Sequence, residues 1–460
     1  MLTNALGRWS TSIWSANRTS SGHLSGHRSG SCLGFIIQKI GDTTGFLALR
    51  KPDMETDIQP DKKAIRDDGE TVSVMEPTQL GEGFKGREEA TELAFELAKR
   101  SAGFKRSLPA PIFVSLATLV RAMNCYYSNL IEGHNTHPVD IERALNDDYS
   151  ADAEKRDLQL EARAHIEVQR WIDEGGLRGR AAAIEGIRET HDRFYTAMPE
   201  ELRWAEYPDG RRVPVVPGEY RELDVQVGRH RAISPGAVPR FMDRFQAVYA
   251  RLGANETTVA TAAAHHRLAW IHPFMDGNGR VGRLMSHALL LESVDSGAVW
   301  SVSRGLARNV EAYKAHLASC DQPRRGDLDG RGALSHAALA SFTVFFLKTC
   351  IDQVDFMEGL IEPERLRKRI EIWIEEEAKL GNLNPKVGAI VSAILYRGEL
   401  PRGEVSGILG GMTDRHSRRL LEPLTKSGVL LAESSRAPLR LGFPAALAGR
   451  WMPGLFPEQA

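Results

Sequence analysis

The chain has 460 residues, enough for about three domains at roughly 150 residues each. Its 59 Lys and Arg nearly balance 60 Asp and Glu, and 42% hydrophobic with 26% charged residues exclude a fibrous chain and a chain-wide polyanion-binding surface. Four cysteines with no close pair exclude a disulfide scaffold and a Cys-rich zinc module, and point to a reducing, cytoplasmic compartment.

Residues 1–41 carry no acid and are rich in serine, a composition similar to an organelle transit peptide but without an amphipathic period. They read as a disordered tail, or as sequence upstream of a start at Met54. Residues 51–84 open polar and charged, so 1–84 reads as tail and linker. A first helical part, 85–210, holds an apolar helix from Arg87, a second stripe over Ile112, Leu116, Leu119, Val120 and Met123, and a third helix over Ala151–Glu174, ended by Gly175-Gly176. Tyr220–Val227 alternates Leu223, Val225 and Val227 with polar residues, which predicts a strand in a short hairpin. Helical pattern resumes over Val238–Leu252, Thr257–Ile271, Gly279–Glu292, Ala337–Gly359 and Glu362–Leu380, making 211–380 a second, mainly helical part. The most apolar stretch, Ala338–Leu347, is broken by Ser341 and followed by Lys348, short of the ~20 apolar residues of a membrane span, so no membrane contact is expected. After Gly381-Asn382-Leu383-Asn384-Pro385, three short helical patterns and two strand-like runs (Val429–Ala432 and Pro438–Phe443) predict a winged helix-turn-helix over 381–460.

The chemistry concentrates in residues 271–283. Gly277 and Gly279 stand just before a helix, where glycine geometry and free N–H groups make an anion nest. Arg280 and Arg283, three apart, project from the first turn toward phosphate oxygens. Asp276 is a hard oxygen ligand suited to Mg2+ between phosphates, and Asn278 has an amide to offer the same anion. His272, at the mouth, has a pKa suited to proton transfer at neutral pH. No phosphate-loop lysine is present. The pattern is that of a site for a nucleoside polyphosphate with one base and one metal ligand.

The string His272-Pro-Phe274-x-Asp276-Gly277-Asn278-Gly279-Arg280-x-x-Arg283 resembles the signature of Fic-domain proteins at every fixed position. The resemblance implies transfer of AMP from ATP to a Ser, Thr or Tyr hydroxyl of a target protein. It makes His272 the base and Asp276 the Mg2+ ligand. Gly277, Asn278 and Gly279 become the anion hole, Arg280 and Arg283 phosphate contacts, and Phe274 a further nucleotide-site residue. Upstream, Ser128 and Glu132 are four apart on one helix face and Gly133 ends that helix. With the loop, they resemble the family's inhibitory helix, in which Glu132 pairs with Arg283 and occupies the γ-phosphate position. Leu223, Val225 and Val227 fall where the family has its target-docking flap.

The fold class implied is mainly α: a Fic-type helical bundle core with a short β-hairpin flap and a small C-terminal winged-helix domain. His265 and His266 read as core residues, since no carboxylate or Cys nearby completes a ligand set. A homodimer is a further candidate assembly. Residues 381–460 hold ten basic and six acidic residues, with Arg415, His416, Arg418 and Arg419 on the candidate recognition helix, so DNA and protein both stand as partners of that module. Other activities left open are transfer of UMP or phosphocholine, removal of AMP, and a DNA-binding regulator with a nucleotide-sensing core.

Overall fold

Apolar residues recurring every three to four positions form one stripe per helix, and each stripe turns inward. The computed structural model describes residues 64–207 and 209–456; the tail reading of residues 1–63 lies outside them. The helices are α1 (Arg87–Arg106), α2 (Ala110–Ile131), α3 (Pro138–Leu145), α4 (Ala153–Asp173), α5 (Ile184–Thr196), α6 (Val238–Tyr249), α7 (Ala254–Ile271) and α8 (Asn278–Ser293). They continue with α9 (Val302–Arg308), α10 (Val310–Cys320), α11 (His336–Ile361), α12 (Pro363–Lys379), α13 (Val387–Arg397), α14 (Arg402–Ile408), α15 (Asp414–Lys426) and α16 (Ala445–Trp451).

The strands are short. β1 (Trp204–Glu206) and β2 (Arg212–Pro214) form one antiparallel hairpin, with Ala205 opposite Val213. β3 (Gln226–Val227) and β4 (His230–Arg231) form another, with Val227 opposite His230. β5 (Glu399–Leu400), β6 (Leu430–Leu431) and β7 (Leu439–Leu441) make a three-stranded sheet in the order β5-β7-β6.

The helices α7 and α8, buried nearly all round, are the centre of the molecule. The loop between them is held from several sides, because α8 is packed by α2, α4 and α5 as well as α7. By length and composition α11 is apolar enough to cross a membrane, which corrects the reading of its segment as too short. Its apolar residues Leu339, Phe342, Phe346, Cys350, Val354 and Met357 are buried, and it packs against α1, α7, α9 and α10. That surface is spent on the core.

Three further expectations are corrected. Residues 66–84 are packed rather than linker: Met75 and Leu80 are buried, Asp67 pairs with Arg240 at 2.5 Å, Ser234 Oγ donates to Glu70 at 2.6 Å and Arg267 donates to Pro77 O at 2.7 Å. Specific acids, unlike general polarity, find buried or basic partners only in the folded chain. The strand expected over Tyr220–Val227 shrinks to Gln226–Val227, because Arg221 pulls the preceding backbone out of extended geometry onto the α7–α8 loop. The segment after 381 carries α13, α14, α15 and α16 with the β5, β6 and β7 strands, two more elements than expected, and it is bound to the rest of the chain. Tyr127 Oη donates to Leu455 O at 2.9 Å, Arg304 to Gly454 O at 2.7 Å, and the Ala445 N–H to Glu142 at 3.0 Å.

Among the described residues burial lowers the pKa of seven histidines: His165, His191, His265, His266 and His272, to about 3, 3, 3, 4 and 4, and His316 and His336 in the same direction. Each binds its proton more readily in the unfolded chain, so stability rises with pH between about 4 and the unfolded value of 6.5. The His134 pKa is raised by Glu161 and works in the opposite direction, one group against seven. The melting temperature should therefore fall clearly between pH 7 and pH 5, as scanning calorimetry will measure; a flat profile would show these rings to be solvated.

Candidate active site

The site is built where the C-terminus of α7 meets the N-terminus of α8. His272 ends α7 in the left-handed region (φ 52°), which turns the chain toward Pro273. The ring is buried, and burial, with Arg221 next in effect, holds its pKa near 4, so the imidazole is neutral at pH 7. Its Nδ1 lies 3.3 Å from Ala269 O. A carbonyl only accepts, so Nδ1 carries the proton and Nε2 keeps its lone pair. This is the protonation state a base requires.

The loop is locked from inside. The Phe274 N–H donates to Asn278 Oδ1 at 3.0 Å, and Asn278 Nδ2 donates back to Phe274 O at 2.9 Å. The Asn278 amide thus holds the loop shape through its Oδ1 and one of its two Nδ2 hydrogens. The Phe274 side chain is corrected: it is fully buried and stacked on His191 (centroids 3.9 Å apart), so it belongs to the core. Gly277 (φ 80°) precedes the helix, and a Cβ there would come within 2.8 Å of the Tyr195 ring. Beyond it, the first N–H groups of α8 lack partners inside the helix and carry its positive dipole end.

Arg280 and Arg283 diverge. Arg280 turns to Asp276 Oδ2 at 2.8 Å and to Glu161 of α4. Arg283, nearly fully buried, turns to the end of α2: its Nε donates to Ser128 Oγ at 2.9 Å, and its Nη2 to Ser128 O at 3.1 Å and to Glu132 Oε1 at 2.5 Å. The α2 helix stops where it must for this contact. Gly133 takes φ 91°, and His134 N donates back to Asn129 O at 2.9 Å, which closes the helix and leaves Glu132 facing α8. The Glu132 carboxylate rests on the first turn of α8, so close that a Cβ on Gly279 would lie 2.2 Å from its Oε1. A carboxylate occupies the anion nest.

Asp276 is held below the ordinary carboxylate range, burial opposing this and the Arg280 charge and Tyr195 hydroxyl outweighing it. Tyr195 Oη donates to Asp276 Oδ2 at 2.6 Å, and His191 Nε2 lies 3.2 Å from Asp276 O. Tyr195 and Arg280 both donate to Oδ2, the Gly277 N–H also supports the carboxylate, and the side chain keeps partial exposure. Asp276 lines a cleft of about 500 Å³ together with Glu132, His134, Glu161, Trp204 and Arg280. A single carboxylate beside a polyphosphate site suits Mg2+, which ordinarily keeps phosphate and water ligands. No cluster of three or more metal-ligating side chains occurs among the described residues. His265 bonds Ser286 and Tyr313, and His266 bonds Asp321, so both are core histidines.

In the flap region Leu223 and Val227 are 43% and 41% exposed, whereas Val225 is buried at 2%. These residues do not share one face, because the segment before Gln226 is not a strand. Its anchor is Arg221, which sequence reading missed. Arg221 is 1% exposed and donates to His272 O at 2.7 Å, Leu223 O at 3.0 Å and Ile233 O at 2.6 Å, while its N–H donates to Pro273 O at 2.9 Å. Glu161, Tyr195 and His191 were missed as well. Each lies on an amphipathic helix where only the tertiary partner marks it out.

Residues 183–290, from the start of α5 to the last turns of α8, match the Fic/DOC family. The protein adenylyltransferase Fic of Drosophila grimshawi is 26% identical over 223 residues, which cover 46% of this chain and 43% of that protein. Its counterpart in Drosophila erecta is 27% identical over 228 residues, covering 46% and 42%. The chain spans less than half the length of these curated relatives. Among solved structures, a Fic family protein from Desulfovibrio desulfuricans G20 overlays with a TM-score of 0.44 and 17% identity, over 76% of this chain and 95% of its own. A Fic-1 fragment from C. elegans overlays with 0.41 and 14%, over 60% and 72%. Ser128, Glu132 and Glu161 all lie outside the matched segment.

Arg221→Met removes a buried cation and the donors of four carbonyls, those of His272, Leu223, Ile233 and Ile271. It should lower the unfolding free energy by about 3 kcal/mol, measured by urea denaturation at pH 7; a loss under about 1 kcal/mol would show that the flap does not depend on it.

Proposed function

We propose that this protein is an autoinhibited adenylyltransferase that moves AMP from ATP to a Ser, Thr or Tyr hydroxyl of a target protein. One observation carries the reading: a buried, neutral histidine with its Nε2 lone pair unprotonated stands beside the glycine-opened, arginine-flanked N-terminus of α8. His272 Nε2 takes the proton of the acceptor hydroxyl, whose oxygen attacks the α-phosphorus. The bond to the β-phosphate oxygen breaks and pyrophosphate leaves. The Gly277–Arg280 turn receives the phosphate charge on backbone N–H groups and the helix dipole, and no reorganisation is needed at the moment of transfer. Bound Mg2+ neutralises phosphate charge, and Asp276 is the residue that would hold it. The half-exposed Leu223 and Val227 offer the target segment an apolar edge next to the loop that carries His272.

Autoinhibition follows from charge. The γ-phosphate and Glu132 compete for Arg283, and the carboxylate already sits there at 2.5 Å. Glu132→Gly frees Arg283 and should raise auto-adenylylation on the order of tenfold or more, a factor that needs only about 1.4 kcal/mol of differential stabilisation. His272→Ala should abolish it in either background. Intact-mass spectrometry after incubation with ATP, UTP and GTP in turn reads both the mass gain and the nucleotide. A wild-type protein as active as Glu132→Gly would end the brake, and no AMP-sized gain in any variant would end the transferase reading.

A second reading concerns the module after Gly381. Arg415, Arg418 and Arg419 are exposed together on α15, the second helix of a helix-turn-helix capped by the β5-β7-β6 sheet. This favours DNA as a partner. A mobility shift of the full chain on duplex DNA should weaken steeply as salt rises; no shift at low salt would exclude it.

A further inference from the structure

Burying a guanidinium is unfavourable unless its donors meet anions, and a phosphate-binding arginine must keep those donors aimed while the site is empty. Arg280 is 6% exposed and meets two carboxylates. One, Asp276, belongs to its own loop and lies 2.8 Å from Nη2. The other is Glu161, which projects from α4 onto Nη1 and is itself 7% exposed. Glu161 lies outside the family-matched residues 183–290 and outside every motif of the site. Its second oxygen, Oε2, lies 2.8 Å from His134 Nδ1, two residues beyond Glu132. Burial opposes ionisation of Glu161, yet Arg280 and His134 hold it below the ordinary carboxylate range, so it is an anion at neutral pH.

We propose that Glu161 is a positioning residue: it holds Arg280 at the phosphate end of the cleft and, through His134, ties the turn after Glu132 to the same point. Without Glu161 the Nη1 group of Arg280 has Asp276 as its remaining acid partner, and the guanidinium collapses onto the carboxylate assigned to the metal. With Glu161 in place, Arg280 can release Asp276, offer its Nη2 to a phosphate oxygen and stay aimed. This rests on the nucleotide site proposed above, and concerns binding rather than transfer.

The two ideas separate experimentally. In the Glu132→Gly protein, where the nest is open, the affinity for a non-hydrolysable ATP analogue with Mg2+ is measured by calorimetry, with and without Glu161→Gln. The substitution removes a negative charge beside an anion site, so charge alone predicts tighter binding. Loss of positioning predicts binding about fivefold or more weaker. In an Arg280→Met background the same change should shift affinity less than about twofold, because the two residues act as one unit. Unchanged or tighter binding in the Arg280 protein, or an equal loss in both backgrounds, would overturn the inference. Thermal unfolding of each variant reports on folding. Should Glu161→Gln fail to fold, Glu161→Asp, which keeps the charge one methylene short, should weaken binding about two- to threefold with the same dependence on Arg280, and no such dependence would overturn it. Failure of AMP transfer with these affinities intact would refute the transferase reading and leave the role of Glu161 standing.

Discussion

The N-terminus of α8 gathers positive charge in a place shielded from water, and this constraint governs the architecture around it. Two buried guanidiniums and the positive end of a helix dipole meet within one turn. Such an arrangement is stable only if anions answer it, and with no nucleotide three carboxylates do so. They come from three places: Glu132 from the end of α2, Glu161 from the middle of α4, and Asp276 from the loop itself. Each arginine is thereby given a direction, Arg283 toward α2 and Arg280 toward α4. Binding a triphosphate is, on this view, an exchange of carboxylates for phosphates at fixed cations.

This arrangement bears on the proposed brake. On the function proposed above, Glu132 would need no domain movement to inhibit, only a helix that ends at Gly133 so that its side chain rests on Gly279. The glycines keep these approaches open: a Cβ at 279 would strike the Glu132 carboxylate, and a Cβ at 277 would strike Tyr195. The position of α2 is in turn supported from elsewhere. Tyr127, next to Ser128, donates to the carbonyl of Leu455, and its ring packs near Arg304, so the last residues described bear on the helix that ends at Glu132.

Much of the helical frame was legible in the sequence, because apolar period, N-caps and terminal glycines are local signals. Thr413 caps α15, Asp152 caps α4 and Gly133 ends α2, each by chemistry visible in a few residues. The strand over Tyr220–Val227 was misjudged for a physical reason. Its period-two pattern is real, but a buried arginine four carbonyls wide overrides it, and Arg221 has no sequence signal to distinguish it from a surface arginine. Residues 66–84 misled in the same way, since acids that look like linker become the partners of Arg240, Arg244 and Ser234 only once α6 is placed beside them.

By itself the sequence determined which groups the site has: one histidine, one loop carboxylate, two glycines and two arginines, all within twelve positions, together with a Ser/Glu pair at a helix end. Their spacing is covalent, so the chemistry is written locally. Only the tertiary structure decided what each group touches. It sent Arg280 and Arg283 apart although they sit on one helical turn, spent Asn278 and Phe274 on holding the loop, and brought Glu161, Tyr195, His191 and Arg221 to it from distant segments. Those assignments depend on long-range pairing of buried charges, which no local period encodes and which water would erase were the site not closed.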